Sequence, residues 1–322
     1  MKTLPFFLEH LQQGFRPLSL ESPLQPTAQE LAYFSYYGID FAKQLPDVAH
    51  YFGWLESPPY MVACHVYKQP NPKGCFFLLH GYYDHIGLYK HVIRFLLEQG
   101  FDVFAFDLPG HGLSSGSRAS IQMFSEYESA LSRCLQFSEN QLPKPWHIIG
   151  QSTGGAVTID YLQRNQFDLT TSPFQHVVLL APLVRPRAWR QSLFAYFLLK
   201  PFIRRLNRRY TANSTDSSFV EFIRHADPLQ PANLSVEWVG ALHHWIKEIE
   251  NSRKSPLTPI IIQGEQDLTV DWQHNLKVLD KIFTQPKKLI LPSAKHHLAN
   301  ESETIRKRYF KFLQECVGDN LC

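Results

Sequence analysis

Gly150-Gln151-Ser152-Thr153-Gly154 sets a serine between glycines, after an apolar run, WHIIG, and before a helical stretch, GGAVTIDYLQR. A serine at such a strand–turn–helix corner stands clear of its neighbours, as a nucleophilic hydroxyl must. Glycines at 150 and 154 suit a turn too tight for side chains. Ser152 is the candidate nucleophile; the competing reading is a plain helix cap. A serine hydroxyl becomes a useful nucleophile only beside a base that an acid holds in place.

Gly264-Glu265-Gln266-Asp267 follows the apolar run TPIIIQ. A carboxylate there can fix the tautomer of a histidine one connection further on. Glu265 and Asp271 compete for that role, and Asp267 best fits the spacing after the glycine turn. Ala294-Lys295-His296-His297-Leu298 follows the last apolar run. Adjacent histidines point in different directions, so only one of the two can meet the serine.

Acyl transfer also needs donors for the oxyanion of its tetrahedral intermediate. Two backbone N–H groups fit: Thr153, after the nucleophile, and Tyr82, in the His80-Gly81-Tyr82 turn after CFFLLH. His80 reads as structural. Asp107 and His111, in Asp107-Leu108-Pro109-Gly110-His111-Gly112, precede the serine and read as loop scaffold. His243 and His244 read as partly exposed helix residues. No His, Cys and Asp grouping has metal-ligand spacing, and the chemistry requires no cofactor.

Eight short apolar runs carry these residues. VAHYFGWLE and YMVACHVYK read as a hairpin; CFFLLH, FDVFAFD, WHIIG, HVVLLAP, TPIIIQG and KLILP read as buried strands. Helical stretches separate them, beginning with LYKHVIRFLLEQG, and this alternation predicts a parallel sheet with helices on both faces. Residues 1–45 form an N-terminal extension, in which Thr27 and Glu30 make a capping box for a helix over AQELAYFSYYGIDFAKQL. Residues 46–184 and 255–322 form the α/β core. Residues 185–254 interrupt the alternation with WRQSLFAYFLLKPFIRRLNRRY, SSFVEFIRHAD and SVEWVGALHHWIKEIE, all read as helical, a natural lid before the last two strands.

The 322 residues are 44% hydrophobic and 19% charged, with net charge +3, which fits an ordinary globular chain and gives no nucleic-acid signature. Cys64, Cys75, Cys134, Cys316 and Cys322 are widely spaced, without a CxxC pair, and suit a reducing compartment. Glu9 and His10 interrupt the first apolar stretch, which argues against a signal peptide; no uncharged apolar run reaches bilayer length. A cytoplasmic protein is the expectation.

With HGYYDH, DLPGHG, GQSTGG, GEQD and AKHHLANE in this order, residues 60 to 316 resemble the monoacylglycerol lipase and lysophospholipase group of α/β-hydrolases, which overlaps the serine aminopeptidase S33 family. The resemblance implies an α/β-hydrolase fold, a helical lid and lipid-like ester substrates. It maps the base to His296, with Leu298, Asn300 and Glu301 completing the motif, and agrees on Ser152, Asp267 and the amides of Tyr82 and Thr153. Thr153 stands where methionine is common, and the N-terminal extension is longer than usual.

The candidate lid adds a substrate clue. Arg185, Arg187, Arg190, Lys200, Arg204, Arg205, Arg208 and Arg209 occur without an intervening acidic residue, interleaved with Trp189, Leu193, Phe194, Tyr196, Phe197, Leu198, Phe202 and Ile203. This is the pattern of a helix lying on an anionic membrane; the alternative is a packed helix with a solvated basic face. The arginines also fit a substrate phosphate, and Arg187, Trp189 and Arg190 are the expected substrate contacts. The leading expectation is a hydrolase of monoacyl lipid esters. The others are an S33-type aminopeptidase using Asp216, Glu221, Asp227 or Glu237 for a free amine, a small-ester esterase, and a silent binding protein. Oligomeric state is not indicated.

Overall fold

The computed structural model describes residue 11 and residues 14–208 and 210–318. Eight strands form one sheet: β1 (Ala49–Ser57), β2 (Tyr60–Lys68), β3 (Cys75–Leu79), β4 (Asp102–Phe106), β5 (Trp146–Gln151), β6 (Phe174–Leu180), β9 (Ile260–Gly264) and β10 (Lys287–Leu291). Their order is β1-β2-β4-β3-β5-β6-β9-β10, and β2 alone runs against the others. The inner strands β3, β4, β5 and β9 are buried throughout, so both of their faces must be apolar. Parallel strands bring their carboxyl ends to one edge, where open α/β sheets bind ligands.

Two apolar layers lie on the two sides of the sheet. Helices α1 (Ala28–Tyr37), α3 (Lys90–Glu98) and α10 (Glu303–Gly318) contribute to one; α4 (Ser125–Ser138), α5 (Thr153–Arg164) and α9 (Trp272–Ile282) contribute to the other. The short α2 (Phe41–Gln44) follows α1. The expected single helix over 28–45 is two helices, because Gly38 adopts left-handed φ and caps the first. The Thr27–Glu30 capping box is formed. Arg16 and Leu18 hydrogen-bond to Trp54, so the extension lies along edge strand β1, while Tyr33, Phe34 and Tyr37 are buried. Cys64, Cys75, Cys134 and Cys316 are buried free thiols; Glu9, His10, Arg209 and Cys322 lie outside the described residues.

Between β6 and β9 the chain makes α6 (Trp189–Leu199), β7 (Arg205–Asn207), α7 (Ser217–Glu221), a π-turn over Phe222–Ala226, β8 (Asn233–Ser235) and α8 (Val236–Glu250). The all-helical expectation for this segment is corrected in one place. The helix read over 189–210 stops at Leu199, because Pro201 cannot continue it, and β7 then pairs antiparallel with β8. No described helix is long and apolar enough to cross a membrane.

Candidate active site

Ser152 sits at the end of β5 with φ 52 and ψ −108, a strained corner for a residue with a side chain. Its close packing explains the glycines. A Cβ on Gly150 would meet Gly154 backbone at 2.5 Å, and one on Gly154 would meet the Leu79 carbonyl at 2.4 Å. The corner is held by the Ser152 amide donating to Leu180 O at 2.8 Å and the Leu183 amide donating to Ser152 O at 3.2 Å.

His296 reaches this serine from the loop after β10. Its Nε2 lies 2.9 Å from Ser152 Oγ, and its Nδ1 lies 2.7 Å from Asp267 Oδ2. Asp267 follows β9 by one turn. It accepts hydrogen bonds from the Thr269 and Val270 amides at 2.8 and 3.1 Å, and from Gln263 Nε2 at 3.1 Å. Three strand ends thus bring together three residues far apart in the chain. Glu265 is exposed and Asp271 caps α9, so neither competes with Asp267 here. Burial alone would push the His296 pKa down, but the charge and hydrogen bond of Asp267 outweigh it and the net shift is upward. Burial would raise Asp267; the His296 charge and hydrogen bond, with the two amides, bring it below its ordinary value.

The amides of Tyr82 and Thr153 donate to no acceptor among the described residues. Both residues line the same cavity as Ser152 and His296. Two free N–H groups lining a cavity with a serine hydroxyl are what an oxyanion formed there would require. His80 accepts from the Leu108 amide at 2.8 Å and lies 2.7 Å from Gly81 O through its other nitrogen, and Asp107 accepts from Ile86 and Leu113. Both hold loops, as does His111, which contacts Pro109 O.

The cavity measures about 260 Å³. Its walls come from the turn after β3, the serine corner, the segment after β9, the histidine loop and the β6–β9 insertion, with Trp189, Leu234, Trp238, Val239 and Leu242 among the apolar residues. Trp238 stacks on Tyr82 at 3.8 Å between centroids. Of the three expected substrate contacts, only Trp189 lines the cavity. Arg187 and Arg190 are exposed: Trp189 turns into the core at the start of α6, and its basic neighbours turn out. Arg208 lines the cavity instead. His243 is buried beside Trp189, and His244 is exposed.

Sequence reasoning missed three supporting residues. Gln151 donates to the His296 carbonyl, Gln263 donates to Asp267, and Asp84 lies 3.1 Å from His297. A polar residue directly after the apolar run Ile148-Ile149-Gly150, at the end of its strand, was the available signal for Gln151.

The sequence model described as serine aminopeptidase S33 matches residues 70–303. The chain belongs to this family. The chain is 25% identical to a monoacylglycerol lipase of Mycolicibacterium smegmatis over 245 residues, covering 72% of this chain and 84% of that one. It is 25% identical to the human monoglyceride lipase over 252 residues, covering 74% and 80%. A monoglyceride lipase of Saccharomyces cerevisiae, solved as a soluble variant with a substrate analogue, superposes with TM-score 0.69 at 16% identity, over 82% of this chain and 93% of that one. The family and these neighbours share the α/β-hydrolase fold, with its mostly parallel eight-stranded sheet flanked by helices.

Proposed function

We propose that this S33-family chain is a serine hydrolase that cleaves carboxylic esters of monoacyl lipids through an acyl-serine intermediate. The carrying observation is the continuous chain from Asp267 through His296 to Ser152, facing a cavity with two uncommitted amides. His296 takes the proton of Ser152 as its oxygen attacks the ester carbonyl, and the amides of Tyr82 and Thr153 receive the oxyanion. The imidazolium returns its proton to the departing alcohol. Water, activated by the same imidazole, then attacks the acyl-serine carbonyl and frees the acid.

The cavity walls favour an ester over a free-amine substrate. Asp216 caps α7, Glu221 is exposed beside His225, Asp227 is bound to His85 and Tyr37, and Glu237 is bound to Ser120. None of the four lines the cavity, and Asp84, the carboxylate that does, lies 3.1 Å from His297 and accepts the Tyr89 hydroxyl. The apolar insertion residues, and relatives named as monoacylglycerol lipases, support an acyl chain as the occupant.

The insertion serves as the lid in this reading, and its outer face as a membrane contact. Phe194 and Phe202 are 74% and 84% exposed, with Phe197 and Leu198 beside them and Arg190, Lys200, Arg204 and Arg205 also exposed. Labelling by a fluorophosphonate probe tests the chemistry: wild-type protein is expected to label and Ser152→Ala is not. No labelling of wild type, or equal labelling of both, removes the hydrolase reading in favour of a silent binding protein. Turnover of monoacylglycerol, lysophospholipid and aminoacyl anilide then tests the substrate class, with predominant anilide cleavage rejecting the lipid ester.

A further inference from the structure

Arg208 is the one lysine or arginine among the described residues that lines the cavity of Ser152. Its guanidinium carbon lies 4.0 Å from the ring centroid of Tyr83 and 4.5 Å from that of Tyr210, so two aromatic rings hold it. One guanidinium N–H donates to Gln230 Oε1, and the Arg208 amide donates to Ala232 O at 2.9 Å. No carboxylate among the described residues forms an ion pair with it. Asp84, the carboxylate lining the same cavity, lies 3.1 Å from His297 and accepts the Tyr89 hydroxyl at 2.8 Å. Asp84 and Asp227 reach Arg208 only through space.

A guanidinium carries five donors in a rigid fork. Here the fork is oriented by stacking, half-buried and without an ion-pair partner among the described residues, so its free edge is open to a negative charge in the cavity. Burial lowers the Arg208 pKa, but a guanidinium stays charged at neutral pH. Tyr83 follows Tyr82, which lines the cavity with Ser152, so the stack joins the cation to the turn bearing a candidate oxyanion donor.

We infer that Arg208 is a head-group subsite, and that the preferred ester carries a phosphate on its alcohol side, as a lysophospholipid does. The inference rests on the ester-hydrolase reading and narrows its substrate. The acyl chain lies along Trp189, Val239 and Leu242, and the phosphate meets the free edge of the guanidinium.

Trp189 and Trp238 line the cavity and give a fluorescence readout independent of turnover. Wild-type protein is titrated with octyl phosphate, octan-1-ol and inorganic phosphate. Octyl phosphate is expected to bind at least about tenfold tighter than either, an advantage that Arg208→Gln abolishes. Equal binding of octyl phosphate and octanol to wild type overturns the inference. So does an advantage that survives Arg208→Gln, or inorganic phosphate binding as tightly as octyl phosphate.

In turnover, the kcat/KM ratio of 1-lauroyl-glycerol 3-phosphate over 1-lauroyl-glycerol is expected to fall at least about tenfold in Arg208→Gln. An unchanged ratio overturns the inference. Arg208→Lys, which keeps the charge and loses the fork, is expected to give an intermediate ratio. If wild type cleaves neither ester and Ser152 does not label, the hydrolase reading falls while the titration still decides the anion site. If Arg208→Gln fails to fold, the wild-type comparison of octyl phosphate with octanol decides alone.

Discussion

Gln151, the residue before the candidate nucleophile, donates its side-chain amide to the backbone carbonyl of His296 at 2.9 Å. Its oxygen accepts from the Ala299 amide at 3.4 Å, so one side chain spans the histidine loop. The loop of His296 is therefore tied to β5, and its side chain to Asp267. Gln151→Leu keeps the volume and removes both bonds. We expect kcat toward a short soluble ester to fall about 10- to 100-fold with a smaller change in KM, since misplacement by an ångström acts on the reacting geometry. An unchanged kcat would show that the loop needs no such tie.

Replacing Asp267 by asparagine leaves the burial of His296 and removes the charge that opposes it. The His296 pKa then falls, because desolvation disfavours imidazolium. The expected result is a loss of about 10⁴-fold in kcat, the scale for amide replacement of an orienting carboxylate, with the acid limb of the pH profile moved to lower pH. A loss without the shift would make Asp267 a packing residue only.

With His296 as the proposed base, its upward-shifted pKa leads us to expect the acid limb of kcat/KM above 6.5, the ordinary histidine value. Activity rises with pH because only neutral imidazole can accept the serine proton. The same shift acts oppositely on stability. Its contribution is complete below the unfolded-state pKa and is lost as pH rises through the folded one. A limb centred below 6.5 in a pH–rate profile would contradict the direction.

The strands were readable because inner strands of a parallel sheet are apolar on both faces. Their ends, marked by Ser152, Asp267 and His296, could then be ordered along one edge. The insertion was less readable. Its sequence from 189 to 210 has helical composition throughout, and the turn at Pro201 into a strand depends on pairing with Asn233–Ser235, a distant segment. The placing of the basic residues was less readable for a related reason. Arg187, Arg190 and Arg208 are alike in sequence, and only the tertiary course of the chain, stacking Arg208 between Tyr83 and Tyr210, separates a cavity residue from two exposed ones. Gln151 was in plain view beside the nucleophile, but its partner lies 145 residues away.

The serine corner depends on missing side chains. Gly154→Ala adds a Cβ 2.4 Å from the Leu79 carbonyl, where rigid backbone must give way. We expect destabilisation of about 1–3 kcal/mol, measured by chemical denaturation, together with loss of probe labelling at Ser152. Gly318→Ala, with nothing within 4 Å of its new atom, is the matched control. Equal stability of the two variants would mean that the corner relaxes freely.

The exposed face formed by α6 and the segment after it, to Arg205, should bind anionic membranes by two separable forces. Phe194 and Phe202 supply apolar area, and burying a phenylalanine is worth about 1.5–3 kcal/mol. Arg204 and Arg205 supply attraction that salt screens, about 1 kcal/mol per cation near the surface. Phe194→Ser with Phe202→Ser should lower binding to vesicles of anionic lipid at least about tenfold and leave the dependence on salt intact. Arg204→Gln with Arg205→Gln should weaken binding and flatten that dependence. Both measurements use vesicle co-sedimentation across a salt series, with the denaturation midpoint as the check on folding. If neither pair of substitutions changes binding, the basic aromatic face is an ordinary solvated surface, and lipid reaches the serine without a docking step.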